Sequence, residues 1–252
     1  NMCLLAAEAL AQGSFGVSTG LTYQPVFHAD TNELVELGKA VADSDGLFTF
    51  HMRSYGPDLL SALEEVITVA KESGARVHVS HLRSGRSNPG IVRQAIARIT
   101  DALEKGVDIG FDNYPYTAGA SILSQILPGW LVAGGIELAL NRLGDANLKS
   151  AAIRQMDKEL DISGPQNVLI LGVNTEGSKR FEGRRLPDVA KDMGVSPGEA
   201  LLQLYGVEKG RVSIASFVFA QEDVDLTIEH PISIVISDGI HTEGKPHPRL
   251  YG

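Results

Sequence analysis

Cysteine and tryptophan are nearly missing: Cys3 and Trp130 are the single examples in 252 residues. One thiol excludes an internal disulfide framework and suits a reducing, cytoplasmic compartment. Basic charge is also scarce, with 22 Lys and Arg against 31 Asp and Glu, for a net charge of −9. Without a basic stripe to neutralise phosphates, neither nucleic acid nor an anionic membrane is an expected partner. No apolar run approaches the roughly 18 to 20 residues of a membrane span. The glycines at 129, 134 and 135 lack Walker or dinucleotide spacing, and no Ser-His-Asp order is present. Small molecules remain as partners for a chain of ordinary globular composition.

What is present is a series of apolar runs that end in chemistry-bearing residues. Leu47 to Arg53 (LFTFHMR) delivers His51, and Arg76 to Arg83 (RVHVSHLR) delivers His81. Alternation predicts Val77, Val79 and His81 on one face of a strand. Val107 to Tyr116 ends in Asp112 and Tyr114, and Ile232 to Gly239 ends in Asp238. Between the runs lie helical patterns over 32–43, 57–73 and 89–105, closed by glycines at 74 and 106. Strand, loop and helix recur at about 30 residues, the length of a βα unit, which implies a parallel sheet with crossover helices. Chemistry in such folds gathers at the C-terminal ends of strands. Residues 117–229 break the repeat and read as a long insertion or lid between two strands, or as a separate subdomain. Residues 1–116 then supply βα units, and 230–252 the final strand with a polar loop. The chain opens without an initiator Met inside a helical pattern, so it reads as an internal fragment of a longer chain.

Each candidate has a plainer alternative. His51 and His81 at equivalent strand ends suit a metal site, whereas each alone would more often be a packed histidine. His78, on the opposite face, reads as packed or hydrogen-bonded. Asp238 suits a metal-bound water or a substrate proton, or else caps a turn. Arg249 suits a bidentate grip on a substrate carboxylate, or else lies in a solvated loop. Tyr114 suits donation to an oxyanion, or else packs beside Pro115. Arg53 and Arg83 each follow a histidine by two residues and face either the same pocket or a salt bridge. Cys3 reads as a structural thiol.

Taken together, GVSTGLTY (16–23), Thr31 to Leu34, His51 to Arg53, SHLR (80–83), DNYPYTAG (112–119), Ser237 to Gly239 and HPRLYG (247–252) resemble the N-acyl-D-amino-acid deacylase (D-aminoacylase) family of the amidohydrolase superfamily. The resemblance implies an α/β fold that is a partial (β/α)8 TIM barrel of the metal-dependent hydrolase type, with a long insertion before the last strand. It implies Zn2+ as cofactor, His51 and His81 as ligands, and Asp238 at the metal as general acid/base. It also implies Tyr114 polarising the scissile carbonyl and Arg249 on the carboxylate of an N-acyl amino acid, with Arg83 in the same pocket. A His-x-His pair and an early cysteine of the family have no counterpart here. Ala120 stands where a serine is frequent and Tyr55 where an acid is common, departures that bear on substrate preference. Two other readings accompany this one: a cyclic-amide hydrolase of the hydantoinase or dihydroorotase type, and a non-catalytic fragment with half a metal shell.

Overall fold

A computed structural model describes residues 2–23, 25–239 and 245–251. In chain order it contains α1 (Met2–Ala11), β1 (Gly16–Gly20), α2 (Thr31–Ala42), β2 (Leu47–His51), α3 (Leu59–Ser73), β3 (Arg76–Val79), α4 (Ile91–Glu104) and β4 (Ile109–Asn113). There follow β5 (Gly119–Ile122), α5 (Gly129–Val132), α6 (Ile136–Gly144), α7 (Ala146–Ser163), β6 (Val168–Gly172), α8 (Leu186–Met193), α9 (Pro197–Val207) and β7 (Ser213–Ser216). Helix α10 (Gln221–Ile228) and β8 (Ser233–Val235) close the series. Contacts divide the chain into two compact units, Asn1–Tyr116 with Phe219–Asp238, and Thr117–Val218 with Gly239–Gly252.

The first unit is a five-stranded sheet in the order β1-β2-β3-β4-β8, every neighbouring pair parallel. Its strands are short and apolar because both faces of a crossover sheet are covered. Phe48 and Phe50 are buried on β2, Val77 and Val79 on β3, and Ile109 and Phe111 on β4. Against them lie Leu63, Val66 and Ala70 of α3 and Val92, Ala95 and Ile99 of α4, the apolar positions that recur at helical spacing. Local signals set the helix ends. Asp30 accepts the N–H of Glu33 at 2.8 Å to cap α2, and Gly74 takes φ 73° to close α3.

The second unit is a three-stranded antiparallel sheet, β5-β7-β6. Its core joins Met156 and Leu160 of α7, Leu186 and Val189 of α8, Leu201 and Leu204 of α9, and Ile170 and Ile214 of the sheet. Helix α9 begins as the sequence S-P-G-E dictates: Pro197 opens it and Ser196 accepts the N–H of Glu199 at 3.3 Å. Helix α10 packs on α4 and β4 of the first unit, and its Thr227 hydroxyl accepts from Asn113 Nδ2 at 2.7 Å.

The register of β1 on β2 depends on Gly16. A Cβ there would lie 2.0 Å from the carbonyl oxygen of Leu47, so Gly16→Ala must push two paired backbones apart and should cost about 1–3 kcal/mol. Gly56→Ala in the same unit meets nothing nearer than 3.8 Å and should leave stability within about 0.5 kcal/mol. Denaturant midpoints of the two variants check this; equal midpoints would refute the close approach.

Candidate active site

Strand register builds the site. His51 is the last residue of β2 and pairs with Gly20 of β1, so the chain beyond β1 passes beside its ring. Thr22 Oγ1 lies 3.0 Å from His51 Nε2. On the next strand the alternation reading needs correction: β3 ends at Val79, and His81 stands two residues beyond it with φ 40°. That left-handed turn, and not the pleat, aims the imidazole. A non-glycine residue held there costs about 1–3 kcal/mol, so something must hold it. Asp112 on β4 does so. One carboxylate oxygen accepts the His81 N–H at 2.5 Å, the other pairs with His78 Nε2 at 2.8 Å, and the Asp112 carbonyl accepts the Leu82 N–H at 2.8 Å. His78 is thereby a hydrogen-bonded support on the outer side of the turn.

Placed in this way, His51 Nδ1 and His81 Nε2 are 3.0 Å apart. Two Zn–N bonds of about 2.0–2.1 Å at the tetrahedral angle would separate their nitrogens by about 3.4 Å, so a shared cation needs only a small opening of the pair. Burial, aided by the nearby charge of Arg83, lowers His51 to about 4, which keeps the ring neutral, the form that ligates metals. When Nε2–H donates to Thr22, Nδ1 carries the lone pair that faces His81. The residues present therefore fit a divalent cation as a two-imidazole edge. Among the described residues no group of three or more His, Cys, Asp or Glu gathers into a metal cluster.

Around the pair stands an aromatic and cationic wall. The Arg83 guanidinium lies 4.8 Å over the Tyr114 ring and 4.8 Å over the Phe219 ring, and its Nη1 donates to the Tyr114 hydroxyl. Among the described residues Arg83 forms no ion pair. Arg53, the matching residue two positions beyond β2, is spent structurally: it forks onto Glu65 at 3.0 Å twice and donates to the carbonyls of Phe27 and Ala29 at 2.8 Å each. Tyr55, which sequence reasoning treated only as a departure, packs its ring against both imidazoles. Asp238 lies three residues beyond β8 with φ 47°, near enough that its charge raises the Tyr55 phenol.

Arg249 and His247 belong to the second unit, and both are buried, which removes the solvated-loop alternative for Arg249. Arg249 Nη2 donates to the Ala120 carbonyl at 3.1 Å, and its own N–H donates to His247 Nδ1 at 3.1 Å. Burial first, then the Arg249 charge, lowers His247 to about 4. Gly252, the end of the HPRLYG run, lies outside the described residues. Cys3 is a half-buried thiol on α1. A 390 Å³ cavity in the second unit is lined by Ile126, Leu127, Met156, Leu160 and Val168 among others, and none of the predicted site residues lines it. No described helix is long and apolar enough to cross a membrane.

No family model matches the chain. It is 26% identical over 253 residues to the D-aminoacylase of Alcaligenes xylosoxydans xylosoxydans, covering 98% of this chain and 43% of that protein. The solved N-acyl-D-glutamate deacylase of Bordetella bronchiseptica, complexed with zinc and a phosphonate mimic of the tetrahedral intermediate, is similar over 100% of this chain and 44% of that one. The identity is 26% and the TM-score 0.79. A solved D-aminoacylase described by its binuclear metal center matches at 27% identity and TM-score 0.74, again over 100% of this chain and 44% of that one. The chain spans less than half the length of the relatives it matches. The resemblance read from the motifs is the one these proteins bear out, and an α/β architecture with a parallel sheet goes with it.

The depressed His51 has a thermodynamic consequence. Its folded pKa, about 4, lies below the ordinary 6.5, so stability is fully present above pH 6.5 and is lost as pH falls toward 4. By pH 5, protonating this one ring in the unfolded chain favours unfolding by up to about 2 kcal/mol. Denaturant titrations with a chelator at pH 7.5 and 5.0 should show the loss, and His51→Gln should reduce it; an unchanged slope in the variant would count against a buried neutral ring.

Proposed function

We propose that the protein carrying this chain hydrolyses the amide of N-acyl-D-amino acids, releasing a carboxylate and a D-amino acid. The observation that carries this reading is the 3.0 Å convergence of His51 Nδ1 and His81 Nε2 at the ends of adjacent parallel strands. It is supported by a TM-score of 0.79 to a zinc-complexed deacylase. In the same reading the parallel sheet is a sector of a (β/α)8 barrel, and zinc is the cation.

His51 and His81 would hold the cation, which when bound would supply Lewis acidity to the acyl carbonyl and to water. The chain's own groups do the rest. Asp238 takes the proton of the attacking water and returns it to the leaving nitrogen. Tyr114 donates to the developing oxyanion. Its oxygen already accepts from Arg83, and a hydroxyl that accepts from a cation is a stronger donor. Arg83 keeps positive charge at the site, where it adds to burial in lowering His51 and attracts a carboxylate-bearing substrate. Arg249, through the HPR motif, is assigned to the same substrate carboxylate. Tyr114 is buried, so its donated hydrogen bond acts in low dielectric, where one such donor is worth about 3 kcal/mol of barrier.

Two measurements test this. N-acetyl-D-amino acids should turn over, with their L-forms and a hydantoin as controls; hydrolysis of the hydantoin alone would shift the reading to a cyclic-amide hydrolase. Asp238→Asn should lower kcat by about 10²–10⁴-fold while zinc content by metal analysis stays at the parent level. Undiminished turnover in that variant would remove Asp238 from the chemistry.

A further inference from the structure

Tyr55 sits four residues after His51, and its phenol oxygen makes two backbone hydrogen bonds. It accepts the N–H of Met52 at 2.9 Å and donates to the carbonyl of Ser80 at 2.9 Å. Met52 follows His51 and Ser80 precedes His81, so one oxygen ties together the two turns that carry the imidazoles. The ring between them stands edge-on to His51, centroids 5.0 Å apart at 76°, and tilted against His81 at 5.0 Å and 57°. The Tyr55 carbonyl in turn accepts from Ser84 Oγ at 2.9 Å, and the Arg83 guanidinium lies 5.7 Å from the ring. Every one of these contacts is to the scaffold of the site.

We propose that Tyr55 is a positioning residue that sets the separation and mutual tilt of His51 and His81, an inference that rests on reading the two rings as ligands of one cation. The substitution of an acid by tyrosine at this place then concerns the metal edge and not the substrate's side chain. Without the hydroxyl, the Met52 N–H and Ser80 carbonyl lose their common partner and the two turns are free to separate. Without the ring, both imidazoles lose a wall and can rotate away from each other.

Tyr55→Phe keeps the ring and removes the tie; Tyr55→Leu removes both. Titrated with cobalt(II) alone, the phenylalanine variant should bind about tenfold more weakly than the parent and the leucine variant about a hundredfold, the range found when the supports of metal ligands are removed. The cobalt visible absorption should change with them, which a general loss of stability would not produce. In the metal-free protein, the ring 15N shifts of His51 and His81 should report fixed tautomers in the parent and averaged ones in the leucine variant. Parent-like cobalt affinity, spectrum and ring shifts in both variants would overturn the proposal. If the parent itself takes up no cobalt, the ligand reading falls, while the ring shifts still decide whether Tyr55 fixes the imidazoles. If the leucine variant does not fold, Tyr55→Phe decides by the same readouts.

Discussion

The first unit depends on one carboxylate. Asp112 is the point at which β3 and β4 are locked beyond their ladder, because its side chain and carbonyl together accept two successive N–H groups of the His81 turn while its second oxygen takes His78. A left-handed histidine is unfavourable by itself, and a charge-assisted hydrogen bond of this kind is about twice as strong as a neutral one. The strain and its support therefore offset each other within a few ångströms. Remove the carboxylate and the turn has no reason to keep an imidazole aimed at its neighbour on β2. The position of Asp112 on β4 is in turn fixed by the parallel register that places Val79 opposite Phe111.

The electrostatics of His51 follow from burial first and from a neighbouring cation second. Burial disfavours an imidazolium at His51, and the Arg83 charge disfavours it further. Arg83 in turn is stabilised by aromatic faces and a phenol oxygen.

Much of the first unit was legible in the sequence because its elements obey simple periods. The alternation of LFTFH, the apolar faces of α3 and α4 and the glycine at 74 all state their structure locally, and His51 and His81 are marked by standing at equivalent ends of such runs. What stayed hidden has no local period. Strand β5 is four residues without alternation, held by its antiparallel partner β7 from about ninety residues away along the chain. Helix α10 carries only two buried side chains, Val224 and Thr227, so its amphipathic signal is faint. Tyr55 and Thr22 act through hydrogen bonds to a backbone and a ring from other strands, which no spacing rule encodes. The one local prediction that failed, His81 on the pleat with Val79, failed because a tertiary carboxylate overrides the strand's preference to continue.

The two His-x-Arg motifs show how far such overrides go. HMR and HLR are nearly identical at the ends of β2 and β3, yet Arg53 is consumed in structure and Arg83 faces the site. The difference lies twelve residues on. Glu65 follows Arg53 by that interval, on the face of α3 where a bidentate fork can reach it. The same interval from Arg83 arrives at Ala95, a buried apolar residue of α4. With no carboxylate at that position, Arg83 lies over the rings of Tyr114 and Phe219 and near that of Tyr55, and the Tyr55 ring packs against both imidazoles. A single position on a crossover helix thus accompanies the difference between an arginine tied to its own helix and one stacked on aromatic rings, and the motif alone carries no information about which.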